Sequence, residues 1–432
     1  MTHSSPPLHS SPPTRLALVP DLVWNPPDQE TQSGKALVIS GGRIEGLTDA
    51  KALPGDMDRM VFAGCTLLPG LIDAHTHLAS WMIPALLAAG VTTVRDIGNN
   101  LDWILALRQR LAEDPRPTPR IRCCGPVLDG DRVNWPLLGE RHSTAEAVET
   151  KIDLLAAAGV DEIKLYVHLD LEQVKAATTA GKRNHVPVVA HLGEVNALEA
   201  ARAGVAELQH LSGIIDPFNG AHLVDLEDTT KALKEANTAL CPTVVVWDRL
   251  ARLSHFASRP DPRLGWVPDE IRQAWDAFPH RHDPEGSRGR IAAIEEIRKA
   301  VPALHRAGVS IVVGTDAPWP YLIPGFSLHD ELVMLHRTGL TPAQVLTAAT
   351  REASLRLGVS HLTGTLGEGK TADLLITEGN PVSELEYIRA VREVFRGGQR
   401  VDVARLEPGE FHPDDPVNAS LLTYVKEAST PK

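Results

Sequence analysis

Between residues 69 and 363 the chain repeats one pattern. A short run rich in Val, Ile or Leu meets a polar or glycine-containing end, and apolar positions at helical spacing follow. The runs are "LLPGLIDAH", "VTTVRDIG", "RIRCCGPVL", "DEIKLYVH", "VPVVAHL", "AELQHL", "ALCPTVVVW" and "SIVVGTDA". Eight strand–helix units in series predict an α/β chain whose centre is a (β/α)8 TIM-like barrel, with its reactive groups at the C-terminal strand ends. Two helix starts are written locally. "STAE" at Ser143–Glu146 reads as a capping box, and "TPAQ" at Thr341–Gln344 reads as a box with proline at the first helical position.

The flanks have a different texture. From Lys35 to Leu68, and again from Gly364 to Asp402, short β-like runs alternate with glycine turns and no helical period is apparent. Two such segments at opposite ends predict a small discontinuous β-sandwich domain, residues 16–68 and 364–432, with the barrel, 69–363, inserted between them. Residues 1–15 are rich in Ser and Pro and read as a disordered tail.

Composition narrows the chemistry. A chain of 432 residues with a formal charge of -12 is not drawn to a phosphate backbone or an anionic membrane, so a small-molecule substrate is expected, with neither nucleic acid nor membrane as partner. The start lacks the basic-then-apolar order of a secretory signal, and no later apolar run is long enough to span a bilayer, which gives the expectation of a cytoplasmic enzyme. Association into a homo-oligomer stays open. Cys65, Cys123, Cys124 and Cys241 have no zinc-finger spacing and read as buried, reduced thiols.

The first strand ends in "DAHTH", where His75 and His77 at i and i+2 point to one face. Such a pair fits a shared metal ion or two solvated imidazoles. Other strands end near further metal-competent residues: Lys164 in the fourth, His191 in the fifth, His210 in the sixth and Asp316 in the eighth. In "DEIKLYVH", Ile163, Leu165 and Val167 alternate with Lys164, Tyr166 and His168, and the second set faces the barrel interior. A buried ammonium is costly, and a lysine made neutral by burial can take up carbon dioxide as a carbamate that bridges two cations. The other reading is a lysine reaching from the rim to Asp170.

These residues, with "GVTTVRDIG", "VVAHLGE", "ELQHLSG", "VVGTDAP", "LHDELVMLHRTGLTPAQVLTAATREAS" and "GTLGEGKTADLLI", make the chain resemble the amidohydrolase superfamily over about Ala36 to Val401. The similarity is to the imidazolonepropionase-like and Xaa-Pro-dipeptidase-like branch. It implies metal ligands at His75, His77, His191, His210 and Asp316, with Lys164 as an N6-carboxylysine bridge between two divalent ions. Zinc suits that donor set. It also implies hydrolysis of an amide or peptide-type bond of a dipeptide or N-acyl amino acid, with Asp316 as proton shuttle.

Substrate contacts are less marked. Tyr166 is a candidate oxyanion donor or a core tyrosine, and His142 is a candidate for a substrate carboxylate or an exposed helix-start residue. The segment Trp247–Arg288 carries Trp247, Phe256, Trp266, Trp275 and Phe278, and reads as a lid or as extra helical packing; Arg272 and Arg281 in it are carboxylate candidates. Glu194, three residues after His191, is a substrate-facing candidate and would handle protons in the alternative reading, a mononuclear deaminase of an amino-heterocycle. A lactonase or esterase would use the same site, and a scaffold that has lost catalysis is the remaining alternative.

Overall fold

The computed structural model describes residues 15–278 and 283–428. The expected tail therefore lies outside the described residues except for Arg15, which opens a strand.

The barrel strands are β1 (Leu71–Thr76), β2 (Val91–Asp96), β3 in two pieces (Arg120–Cys123 and Val127–Asp129), β4 (Ile163–Leu165), β5 (Val188–Ala190), β6 (Glu207–Gln209) and β7 (Ala239–Cys241). All neighbours along this series pair in parallel. The break in β3, at Gly125-Pro126, lets its first piece pair with β2 and its second with β4. The eighth position is an irregular segment, residues 310–317. It bridges Leu240 through Ile311 on one side and Thr76 through Ala317 on the other, and Ala74 N–H donates to the Val313 carbonyl at 2.9 Å, which closes the ring. Gly314 makes the approach possible: a Cβ there would sit 2.5 Å from the Cβ of His75.

Strands from both chain ends form one eight-stranded sheet. Its joint is the antiparallel pairing of Arg59–Pro69 with Leu374–Glu378, and a bridge from Arg43 to Thr371 folds the sheet around a core that includes Leu18, Leu37, Leu67, Leu374 and Phe395. Only Gly70 separates strand Arg59–Pro69 from β1, so the sheet is tied directly to the first barrel strand.

Three local expectations are corrected. "ALCPTVVVW" is a strand only to Cys241; Pro242 stops the ladder, Thr243 turns with φ 45°, and Val244–Ala251 is a helix. The buried Glu331 carboxylate accepts the Val244 and Val245 N–H groups at 2.9 and 2.6 Å, so tertiary capping outweighs the β preference of three valines. The N-cap in "STAE" is Thr144, not Ser143, because its hydroxyl accepts from Ala147 N–H at 3.2 Å. Finally, helix Pro416–Ala428, within the segment assigned to the small domain, packs on the barrel mouth: Trp81 Nε1 donates to Asn418 at 3.0 Å, and Val417 and Leu421 join the main core. The box at Thr341–Gln344 forms as read, with reciprocal bonds of 2.8 and 3.2 Å, and the four cysteines are buried and free.

Candidate metal centre and active site

His75, His77, Lys164, Tyr166, His191, His210 and Asp316 line one cavity of about 430 Å³ at the C-terminal ends of the barrel strands. The ligand atoms of His75, His77 and Asp316 all lie within 4.8 Å of one another. Nε2 of His75 and Nε2 of His77 are each 3.2 Å from Asp316 Oδ1, and His210 Nε2 is 3.8 Å from Oδ2. His191 packs on His210 with ring centroids 4.5 Å apart, and Tyr166 on His191 at 5.0 Å.

Hydrogen bonds fix which ring nitrogens face the cavity. His77 Nδ1 lies 2.9 Å from the Gly98 carbonyl, which only accepts, so Nδ1 carries the proton. His75 Nδ1 lies 2.7 Å from Gln209 Oε1, while the Gln209 amide donates to Glu207 at 2.7 Å; that orientation leaves only the oxygen to face His75. Glu207 is in turn paired with buried Arg95, which also binds Glu162 at 2.7 Å and the Ala74 carbonyl at 2.6 Å. From below, Asp73 holds the Asp316 turn through Thr315 N–H at 3.1 Å and Thr315 hydroxyl at 2.8 Å. Asp316 and His210 both stand in the left-handed region, φ 65° and 62°, a local strain that the surrounding bonds hold in place.

The electrostatics follow from burial. It pulls the His75 imidazole down to about 4 and His191 to about 3, which leaves both neutral, each with one ring nitrogen free to ligate, Nε2 at His75. At His77 the opposing pull of Asp316 outweighs burial and raises the value. Asp316 Oδ1 is buried and has no hydrogen-bond partner among the described residues. Lone pairs converging on an unsatisfied buried carboxylate oxygen fit a cation. Lys164, 2 % exposed, is drawn down to about 8 by burial, and no carboxylate lies within ion-pair distance of it among the described residues. The proposed reach to Asp170 is not made; Asp170 instead caps helix Leu171–Arg183.

The substrate-side candidates divide. Tyr166 lines the cavity, and its hydroxyl accepts from Trp135 Nε1 at 3.1 Å, so its own proton is available to a ligand; burial raises its pKa and keeps it a donor. His142 and Glu194 are not in the cavity wall. His142 faces Glu140 at 3.7 Å, and Glu194, more than half exposed, faces His168 at 3.9 Å. β5 stops at Ala190 and the chain bends at residues 193–195, where Glu194 N–H is tied to the Val167 carbonyl at 3.0 Å; β4 likewise stops at Leu165, and a turn follows, so the inward alternation that carries Lys164 and Tyr166 does not extend to His168. Arg272 pairs with Asp269 on the outer surface, and Arg281 lies outside the described residues. Of the aromatic segment, Trp247 and Phe278 line the cavity, whereas Trp275 is buried and donates to the Pro318 carbonyl at 3.1 Å.

The wall joins Phe278 to residues that the sequence reading passed over. Trp135, Trp319, Phe278 and Tyr424 form a four-ring cluster with successive centroids 4.8, 5.7 and 5.3 Å apart, drawn from four separate stretches of chain. Gln209 and Arg290 were also missed. Gln209 had a signal in its i-1 position to His210 on a strand; Arg290, within a helical run, had none.

Comparison with known proteins gives the family and the fold. The pattern of the Amidohydrolase family matches residues 66–401. The chain belongs to the amidohydrolase family. It is 26% identical over 293 residues to the ochratoxinase of Aspergillus niger, covering 66% of this chain and 52% of that protein, so it spans about half the length of that curated relative. It is 28% identical over 383 residues to the imidazolonepropionase of Mesorhizobium japonicum, covering 81% of this chain and 86% of the relative. Its fold is shared with a Xaa-Pro dipeptidase structure with bound methionine, at a TM-score of 0.73 and 20% identity over 90% of this chain and 99% of that one. No described helix is long and apolar enough to cross a membrane.

Proposed function

We propose that the chain is a binuclear metal-dependent hydrolase that cleaves the amide bond of a small substrate. The observation that carries this is the buried convergence of His75 Nε2, His77 Nε2 and the unpartnered Asp316 Oδ1. In this reading His75, His77 and Asp316 would hold one ion, His191 and His210 would hold a second, and carboxylated Lys164 would add an anionic oxygen donor to the pair. Two imidazole-rich half-sites suit zinc. Divalent ions bound there supply a Lewis acid and a water deprotonated at neutral pH.

The chain's own groups do the rest. Neutral Lys164 Nζ attacks the carbon of carbon dioxide, forms an N–C bond and loses a proton to solvent, leaving a carbamate anion in place of a costly ammonium. Asp316 takes the proton of the attacking water and hands it to the departing amine. Tyr166, protonated and already oriented by Trp135, donates to the oxygen that becomes negative in the tetrahedral transition state. The four aromatic rings exclude water and offer an apolar surface to one side of the substrate. Amide hydrolysis is favoured by the names of the relatives, an ochratoxinase and a dipeptidase among them. The deaminase alternative lacks its proton-handling carboxylate, since Glu194 is outside the cavity.

The test is a substrate panel with the metal-loaded protein: N-acyl amino acids, Xaa-Pro and other dipeptides, lactones and amino-heterocycles. Turnover concentrated on amides is expected. Preference for lactones, or ammonia as the product of an amino-heterocycle, would overturn the assignment.

A further inference from the structure

Arg290 sits on helix Pro284–Arg306, is 5 % exposed and lines the same cavity as the metal-competent cluster. Its Nε and Nη1 are buried and have no hydrogen-bond partner among the described residues. Among the described residues the acid in ion-pair range is Asp283, whose Oδ2 is 3.7 Å from Nη1, too far for a hydrogen bond, and whose other oxygen caps the helix at Gly286 N–H, 2.9 Å away. The Phe218 ring, 6.0 Å from the guanidinium carbon, gives at most a cation–π contact. Buried guanidinium donors are rarely left unsatisfied, because each costs much of its hydration. A planar fork of N–H groups on a cavity wall is suited to a planar anion with two oxygens.

We infer that Arg290 is the carboxylate-binding residue of the substrate site, so that the substrate is a carboxylate-bearing amide with an aromatic or large apolar group. This rests on the amide-hydrolase reading and deepens it. Arg290 takes over the role considered for His142 and Arg272, neither of which reaches the cavity. The apolar part of the substrate lies against the cluster of Trp135, Trp319, Phe278 and Tyr424, which lines the same cavity as the guanidinium. One end of the ligand is thus fixed by charge and the middle by ring contact. The scissile amide is left over Asp316 and Tyr166.

The test measures binding and turnover separately, with the protein as purified with its metal. Calorimetry compares 3-phenylpropionate with 3-phenylpropionamide for wild type, Arg290→Lys and Arg290→Gln. Wild type should bind the acid at least ~30-fold tighter than the amide, Arg290→Lys should keep part of that preference, and Arg290→Gln should abolish it. Circular dichroism and thermal unfolding check each variant, and Arg290→Met, apolar and of similar length, serves where Gln does not fold. In turnover, KM for N-acetylphenylalanine should rise by a similar factor in Arg290→Gln with kcat changed no more than about threefold, and N-acetylphenylalaninamide should be unaffected. Equal binding of acid and amide by wild type overturns the role of Arg290 and leaves amide hydrolysis standing. A preference that survives in Arg290→Gln does the same, because it assigns the carboxylate to the metal-competent cluster. An intact, Arg290-dependent preference without turnover of any amide overturns the hydrolase reading alone.

Discussion

Gln209→Met tests whether the shape of the metal centre is set from behind its ligands. In the native protein, Gln209 Oε1 accepts His75 Nδ1–H at 2.7 Å, and the Gln209 amide is itself held by Glu207 at 2.7 Å. Met fills a similar volume without an acceptor of that strength. Two things follow. His75, buried to 1 % exposure, keeps an N–H with no partner, and the tautomer that points the Nε2 lone pair at Asp316 is no longer favoured. Leaving one buried donor unsatisfied costs roughly 1–3 kcal/mol. Loss of a hydrogen bond behind a ligating histidine weakens metal affinity by about 10- to 100-fold, which is about 1.4–2.7 kcal/mol and of the same size. Glu207 stays neutralised by Arg95, so no buried charge is stranded. Metal affinity is read by competition with a chromophoric chelator, and thermal unfolding of the apo protein gives the fold's share of the loss. Affinity unchanged within twofold would refute the proposed orienting role of Gln209.

Other substitutions separate the remaining roles. Asp316→Asn, with metal content verified, should lose at least ~100-fold more activity on an amide than on an activated ester of similar shape, since the amine leaving group needs a proton that Asn cannot deliver; equal losses would contradict the shuttle. Lys164→Ala should be inactive and partly restored by a short carboxylic acid with added metal, whereas full activity without rescue would remove the carbamate from the account. Glu331 offers a pH test. Burial raises its carboxyl from 4.5 to about 8, against two backbone N–H bonds that favour the charged form. The folded state therefore holds a proton that the unfolded state has released between those values. Its stabilisation is full below 4.5 and is lost as pH rises through 8. Glu331→Gln should flatten the fall of unfolding free energy over that window by up to ~1.4 kcal/mol per pH unit, and parallel profiles would refute the assignment.

What the sequence made legible was whatever is encoded by alternation and by local spacing. His75 and His77 lie two apart on β1, and Lys164 and Tyr166 lie two apart where β4 ends, so period-two reasoning placed all four in one cavity. It failed three residues beyond the ladder, at His168, where a turn redirects the chain. The helix at "TVVVW" was hidden for another reason: its cap, Glu331, is 87 positions away from Val244. The assembly of the aromatic cluster, of which only Phe278 was singled out, and the place of Arg290 were illegible on the same ground. Trp135, Trp319, Phe278, Tyr424 and Arg290 come from separate loops and helices, and only the closed barrel with the helix Pro416–Ala428 across its mouth brings them together. The irregular eighth segment was read as a regular strand because "SIVVGTDA" has strand composition; Gly314 against His75 and the left-handed Asp316 are what replace the ladder there.

The proposed hydrolysis depends on a two-ion centre held by His75, His77, Lys164, His191, His210 and Asp316. Elemental analysis of the active wild-type protein, set beside a folded His75→Ala, His77→Ala variant, tests it most directly. Close to two transition ions per chain in wild type, falling sharply in the variant, is the predicted result. One ion per chain in fully active protein, or a metal content that the double substitution leaves unchanged, would contradict it.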